Sequence, residues 1–417
     1  MHSTSFTGAV NMAFPRKMRV LFLSPRACWP PDTGAKLREY HLARQVAARA
    51  ELTILAFSER AGTADLPFCH EYIAVPPPER YTVGKLIRGV IGTEPVSVLN
   101  YSTPPMRQAL DELLRCSQFD LVQIEGIPMA GYAELISKRS NPPAVVYNWH
   151  NIESELMHRY SARASAWPPQ YYSRLTAKRL EVLEKRILRE GNAHLVCSER
   201  EREKLLGIAP NAFVAVVQNG VDTAGFCDGE AGPKPERTRL LFAGSMNYHA
   251  NIEAAVDFSR NIWPAIRQEF PKLRLTLAGS HPAQSVRDLV SIPGVEVTGT
   301  IPDMRPWYAE AAIAIVPLLA GGGTRLKILE AMAAGVPVIS TQLGAEGLEV
   351  TAGEDILIAR TPLEWQTAVR KLLIDCGTGK RIAAKGRDLV RTRYDWSVSG
   401  RALLDVYERL VAGRSAG

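Results

Sequence analysis

Cysteine is scarce in this sequence and never paired. Six cysteines are scattered at Cys28, Cys69, Cys116, Cys197, Cys227 and Cys376, none of them in a C-x-x-C pair. That excludes a zinc ribbon and a disulfide framework, and it fits a reducing, cytoplasmic setting. Long apolar runs are missing too. The longest, at 311–320, is about half the roughly 18–20 residues that a bilayer span needs. Pro317 breaks it, so it reads as a buried strand and its exit. The start, MHSTSFTGAVNMAFPRKM, has no charged region ahead of an apolar core. It reads as a disordered lead-in rather than a signal peptide, with Met12 or Met18 equally able to serve as the start. There is no low-complexity tract and no repeat of solenoid period.

Several motifs are absent as well. No G-x-x-x-x-G-K-[ST] occurs, which excludes a P-loop. No G-x-G-x-x-G follows a first strand, which counts against nicotinamide and flavin chemistry. There is no G-x-S-x-G nucleophile elbow. No two aspartates stand two apart, so the cation pair of single-domain nucleotide-sugar sites is missing and a metal-independent chemistry is expected.

What is present is an ordinary apolar fraction of 46% in 417 residues. Such a chain divides naturally into two domains of about 200 residues each. The net charge of +7 is uneven: residues 1–218 hold 27 Lys and Arg against 21 Asp and Glu, and residues 219–417 hold 23 against 22. The first half is the one to meet an anionic surface or substrate, although a solvated basic face reads equally well. Basic residues are not interleaved with stacking aromatics, so nucleic acid is not an expected partner.

Short apolar strands alternate with helical patterns. MRVLFLS (18–24), ELTILAF (51–57), FDLVQIE (119–125), AVVYNWH (144–150), AHLVCS (193–198) and VAVVQN (214–219) form a first series. A helix over 170–190 carries Tyr172, Thr176, Leu180, Leu183 and Ile187 on one stripe. The alternation restarts with TRLLFAG (238–244), a helix over 251–270, LRLTLAG (273–279), GVEVTG (294–299), AIAIVPL (312–318), PVIST (337–341) and ILIA (356–359), and three helices close the chain. Alternation of this kind predicts α/β architecture: two doubly wound, Rossmann-like parallel-sheet domains facing a cleft. The expected boundaries are a lead-in at 1–17, a first domain at 18–219, a second domain at 220–396 and a final helix at 397–417.

Ligands of such sheets sit beyond the carboxyl ends of the strands. There, AGGGTRLK follows the strand 312–318 and opens a helix with Thr324 as N-cap. Gly322 and Gly323 let backbone come close to a ligand, and Arg325 and Lys327 add charge that the helix N-terminus itself does not want. A phosphate or diphosphate satisfies all of them. A plain tight turn with solvated cations is the alternative. Two readings are open for Glu330: a surface ion pair with Lys327, or a carboxylate for a ribose diol.

With these pieces in order, the chain from Met18 onward resembles the GT-B glycosyltransferases, and more narrowly retaining family 4. NGVD (219–222), LLFAGSMNYHANIEAAVDF, LRLTLAGS, VTGTIPDM and above all KILEAMAAGVPVIST carry the likeness. The resemblance implies transfer of a sugar from a nucleoside-diphosphate sugar to an acceptor hydroxyl, with retention and without a cofactor. It implies that Glu330 binds the ribose and that the base approaches the backbone at Gly299. Gly34 would sit over the diphosphate, with the turn at Gly244 and Ser245 facing it, and His150 would reach the donor sugar. A structural loop histidine is the other reading of His150. The sequence departs from the family at two places. Gly322 stands where the family has its first glutamate. Ser245 and Ala250 stand where it has an Arg and a Lys on the diphosphate, so Arg325 and Lys327 become the expected replacements. The basic, apolar stretch YTVGKLIRGVIG (81–92) suits a lipid-linked saccharide acceptor at the inner membrane face, or an ordinary amphipathic helix. An inactive nucleotide-binding scaffold and a sugar-nucleotide epimerase of the same fold are the competing readings.

Overall fold

The computed structural model describes residues 17–59, 66–79, 81–163, 167–226, 237–320 and 326–415. The expected lead-in and the loop holding Gly322, Gly323, Thr324 and Arg325 lie outside them.

Two parallel sheets organise the chain. The first comprises β1 (Arg19–Ser24), β2 (Glu51–Phe57), β3 (Glu71–Val75), β4 (Leu121–Glu125), β5 (Ala144–Asn148), β6 (Ala193–Val196) and β7 (Val214–Val216). Its order is β3-β2-β1-β4-β5-β6-β7. The second comprises β8 (Arg239–Ala243), β9 (Arg274–Ala278), β10 (Val295–Val297), β11 (Ala311–Val316), β12 (Val338–Ser340) and β13 (Leu357–Ile358), in the order β10-β9-β8-β11-β12-β13. In both sheets the order reverses beside the first strand, which is the doubly wound arrangement with its ligand crevice at the reversal. The strands read as continuous apolar runs because helices cover both faces.

The first sheet separates two cores. Leu21, Leu23, Val122, Ile124 and Tyr147 face one. Val20, Phe22, Leu121, Val146 and Leu195 face the other, as period-two alternation requires. Helix Gly34–Ala47 covers the second face with Leu42 and Val46. Beside it lies the last helix, Trp396–Ser415, which contributes Trp396, Leu403, Val406 and Tyr407 to that same core. The chain therefore crosses between domains twice. The crossings are stitched together by Val221 N–H to Tyr394 O (2.8 Å), Trp396 N–H to Val221 O (3.3 Å) and Thr223 Oγ1 to Asp395 Oδ2 (2.6 Å).

Two helices differ from the pattern read in the sequence. The continuous helix expected over 251–270 is His249–Asp257 and Trp263–Glu269, joined by a π-turn at Phe258–Ile262. Pro264 has no N–H and its ring crowds the carbonyl one turn back, so the wider turn accommodates it. The 170–190 helix begins at Trp167. Of its expected stripe Leu180, Leu183 and Ile187 are buried and Tyr172 is exposed, and Ser173, Ala177 and Glu184 complete the buried face. Buried Glu184 is tolerated because Ser154 donates to it through N–H (3.0 Å) and Oγ (2.5 Å). Among the described residues no helix is long and apolar enough to cross a membrane.

Because Leu403 is fully buried against the first domain, Leu403→Ala should cost about 2–5 kcal/mol. Urea unfolding followed by tryptophan fluorescence measures this, and an unchanged midpoint would contradict the packing.

Candidate active site

The strand ends of the first sheet turn polar on one face. Under helix Gly34–Ala47, the apolar ladder gives way to Ser24 on β1, Gln123 and Glu125 on β4, and Asn148 on β5, all buried. The register pairs Glu125 with Asn148, and His150 follows on the same side, two residues on. His150 Nε2 lies 2.9 Å from Glu125 Oε2 and 3.5 Å from Glu39 Oε1. Its side chain is 12% exposed. Trp149 points the other way, where its Nε1 donates to His194 Nδ1 at 3.2 Å and anchors the turn that presents His150.

Two carboxylates flank this histidine, and their surroundings push them apart. Burial works to raise Glu125, but hydrogen bonds from His150 and Gln123 and the charges of His150 and Arg38 hold its pKa below the ordinary value. Gln123 Nε2 reaches Glu125 Oε1 at 2.5 Å, and Asn148 Nδ2 reaches Oε2 at 2.8 Å. Glu39 is raised, first by burial and then by the neighbouring Glu125, against the lowering charges of Arg26 and His150 and a hydrogen bond from Ser24. Ser24 Oγ donates to Glu39 Oε2 at 2.7 Å, while Oε1 has the longer approaches of Arg26 Nη1 at 3.4 Å and His150 Nε2 at 3.5 Å. Glu39, Glu125 and His150 bring one ligating atom each within 4.8 Å of one another. A cation placed there would compete with Asn148 Nδ2 for Glu125 Oε2 and would stand beside Arg26.

The second domain supplies a different set. Gly244 follows β8 with φ +151°, in a turn whose N–H reaches Ala278 O at 2.9 Å. A Cβ there would come within 2.8 Å of Lys327 Nζ and 2.9 Å of Asn251 Nδ2, so only glycine admits both side chains. Lys327 donates to Asn251 Oδ1 at 2.8 Å and lies 4.8 Å from the centre of the Phe242 ring. Its ammonium therefore rests at the Gly244 turn. Asn251 in turn donates to Ser245 O at 2.8 Å, and exposed Ser245 donates through Oγ to Asn247. The ion pair between Lys327 and Glu330, one of the two sequence readings, does not form. Half-buried Glu330 instead accepts from Tyr308 OH at 2.9 Å. Burial raises its pKa, against the lowering effects of the Tyr308 hydroxyl and the Lys327 charge. Gly299 lies just beyond β10 at φ +75°, and nothing stands within 4 Å of where its Cβ would be.

The two sets face each other. Thr33 caps the first helix, and a Cβ on Gly34 would stand 3.5 Å from Leu326 Cδ1 in the opposite domain. Gly34 and the start of helix Leu326–Ala333 thus form the two lips of one cleft. Next along the chain from His150 is a shallow recess between the domains, lined by Asn151, Ile152, Glu155 and Arg200 from one and by Glu346 and Gly347 from the other.

Glu39, Arg38, Gln123, Glu125 and Asn148 were not singled out by sequence reasoning. The available signal was Gln123 and Glu125 at i and i+2 in a strand otherwise apolar enough to be central. Polar side chains that the sheet must bury carry an obligation to be paired.

Burial also lowers the pKa of His194, beneath Trp149, from 6.5 to about 4, and that of His41 likewise to about 4. Both are neutral when folded. Below pH 6.5 the unfolded chain binds protons that the folded chain refuses, so stability falls as pH drops from 6.5 to 4 and then levels for these groups. Urea midpoints across that range should decline, and His194→Gln should flatten the decline. A midpoint that stays constant in the wild type would contradict it.

Residues 34–224 match the family described as Glycosyltransferase Family 4, and residues 237–375 the family described as Glycosyl transferases group 1. The chain is 24% identical over 258 residues to glycogen synthase of Mycobacterium tuberculosis, covering 59% of this chain and 60% of that protein. It is 28% identical over 156 residues to phosphatidyl-myo-inositol mannosyltransferase of Propionibacterium freudenreichii, covering 36% and 39%. An uncharacterized 44.6 kDa protein in the cps region of Klebsiella pneumoniae is 25% identical over 164 residues, covering 37% and 42%. The matches thus span less than two thirds of these relatives' own lengths. Among solved structures, sucrose-phosphate synthase from Thermosynechococcus elongatus superimposes with a TM-score of 0.72 at 16% identity, over 95% of this chain and 100% of that one. Anabaena HepE in complex with UDP and glucose gives 0.67 at 15% identity, over 94% and 100%. By its two matched halves and its paired Rossmann-like sheets, the chain belongs to the GT-B glycosyltransferases of group 1 and family 4.

Proposed function

We propose that this chain transfers a sugar from a nucleoside-diphosphate sugar to an acceptor hydroxyl, with retention at the anomeric carbon and without a metal ion. The observation that carries the proposal is the meeting of Lys327 with the Gly244 turn on the same helix as Glu330, opposite Gly34. In this reading the diphosphate lies between the Gly34 lip and the turn at Gly244 and Ser245. Lys327, with Arg325 and the amides of Gly322, Gly323 and Thr324, stabilises charge on the departing phosphate. Glu330 accepts from the ribose, the base lies against Gly299, and His150 meets the donor sugar. Anabaena HepE, of like fold, holds UDP and glucose, which supports this class of donor.

In this reading attack proceeds on the face the phosphate leaves. The acceptor proton passes to the leaving phosphate oxygen while the protein positions the two. Gly322 replaces the family's first glutamate, and sugar specificity rests on other contacts. Metal independence is supported by the positive charge already beside the Glu39, Glu125 and His150 set, where Arg26 Nη1 stands 3.4 Å from Glu39 Oε1 and Gln123 and Asn148 both donate to Glu125. The acceptor belongs to the first domain. A lipid-linked saccharide at the cytoplasmic face of the inner membrane fits helix Val83–Ile91, where Ile87 is 52% and Ile91 81% exposed beside Arg88. Likeness to the protein in the cps region of Klebsiella pneumoniae supports a role in exopolysaccharide or cell-surface glycan synthesis.

Calorimetric titration with UDP, GDP and ADP should find one that binds tightly, with affinity reduced at least about tenfold by Glu330→Ala. Binding of none would overturn the proposal. Because the Glu330 pKa is raised, affinity should fall on acidification at a higher pH than an ordinary glutamate would give, and Glu330→Gln should remove that dependence. Lys327→Ala should lower turnover far more than it lowers the melting temperature, and chelator should leave turnover unchanged. Loss of folding without a specific loss of activity, or inactivation by chelator, would contradict those parts.

A further inference from the structure

The buried polar network behind His150 has a direction, and the direction can be read from its donors. Arg38 is fully buried and can only donate. Its Nε and Nη2 both go to Asn148 Oδ1, at 3.1 and 2.9 Å, and its Nη1 goes to Val217 O (2.7 Å) and Asn219 Oδ1 (2.9 Å) at the first interdomain crossing. With its oxygen taken, Asn148 must turn Nδ2 to Glu125 Oε2. On the other side, Gln123 Nε2 serves Glu125 Oε1, so Gln123 Oε1 must accept. It accepts from Tyr407 OH at 2.5 Å, and Tyr407 lies on the helix that returns from the second domain. Glu125 is left as an acceptor on both oxygens. The ring nitrogen of His150 that faces it, Nε2, must then carry a proton. Among the described residues no hydrogen bond is made to His150 Nδ1, and it is not a buried orphan.

We propose that Tyr407 is a positioning residue for the transfer reaction, acting through Gln123 and Glu125 to hold His150 with its proton on Nε2 and Nδ1 available to the ligand. The proposal rests on the reading of His150 as a residue that meets the donor sugar. Tyr407 is fully buried and reaches His150 only through Gln123 and Glu125. The Glu125 carboxylate, which only accepts, turns Gln123 Nε2 toward itself, and the Tyr407 hydroxyl supplies the donor that Gln123 Oε1 then needs. Without that donor Gln123 Oε1 is a buried acceptor left unsatisfied, and the amide is held less firmly in the orientation that serves Glu125. In the flipped orientation an oxygen faces the Glu125 carboxylate and the tie to His150 loosens. Arg38 performs the matching task from the other crossing, so both links between the domains end on the same carboxylate.

The test is Tyr407→Phe, which removes one oxygen atom. Protein labelled with ¹⁵N-histidine, with His150 assigned by its loss in His150→Gln, should show the neutral ring of the wild type with its proton on Nε2 and none on Nδ1, measured at a pH where the ring is neutral. Tyr407→Phe should show a mixture of tautomers. Hydrolysis of the sugar nucleotide selected by the UDP, GDP and ADP titrations should fall about tenfold, with affinity for the free nucleotide unchanged. A merely structural tyrosine would lower the melting temperature without changing the tautomer. The proposal is overturned by a wild-type His150 with its proton on Nδ1 alone, or by a variant whose tautomer and turnover match the wild type. If Tyr407→Phe does not fold, Gln123→Met must give the same tautomer mixture, and failure to do so overturns it equally. Absence of nucleotide binding in the wild type would remove the parent reading, while the tautomer measurement on the free protein still decides the network.

Discussion

A carboxylate buried at the carboxyl end of a central strand is the constraint around which the first domain is arranged. Glu125 is inaccessible to solvent, and an ionised group there is tolerated only if its oxygens are fully hydrogen-bonded. Gln123, Asn148 and His150 meet that demand, and each must itself be oriented. The demand spreads outward, to Arg38 on the first helix and Tyr407 on the last. The polar cluster replaces the apolar ladder only at the strand ends, so the core beneath it stays continuous from Val20 to Leu195. On this face of the sheet the buried polar side chains are concentrated where the fold offers a ligand crevice.

The same cluster lies where the two domains are joined. The crossing at Val217–Asn219 is held by Arg38, and the crossing at 394–396 leads into the helix that carries Tyr407. Across the cleft the fastenings are different in kind. Gly34 faces Leu326 with room for about one methyl group between them, and Arg159 and Arg200 approach Glu346 at 3.5 Å on a partly exposed rim. Rim ion pairs of that sort are worth little and are screened by salt. The hinge side is therefore firmly bonded and the mouth weakly so, an arrangement that allows closure over a donor without disturbing the histidine.

Much of the architecture was legible in the sequence because it depends on periodicity. Alternating apolar strands and helices specify a doubly wound sheet whatever the side chains do in detail. The positions that were misread are those where one residue overrides the period. Pro264 forces a π-turn into an apparently continuous helix, and Glu184 belongs to the buried face of a helix whose stripe was assigned to Tyr172. Of the candidate site, sequence reasoning singled out residues with a distinctive local setting, Glu330 on its helix and His150 at a strand end, while the glycines before Lys327 lie outside the described residues. The partners of those residues were not. That Lys327 turns to the Gly244 turn rather than to Glu330 depends on Asn251, 76 positions away. Likewise Tyr407 finds Gln123 across 284 positions. Spacing along a helix says which residues share a face, and only the tertiary fold says what stands opposite.

The central claim is that a nucleoside diphosphate occupies the cleft between Gly34 and the Gly244 turn. A crystal structure of the protein with the tightest-binding nucleoside diphosphate tests it most directly. The account predicts the ribose within hydrogen-bond distance of Glu330, the diphosphate beside Lys327, and Gly34 facing it from the other domain. A nucleotide bound away from the Lys327 and Glu330 helix, or density for none at saturating concentration, would contradict it.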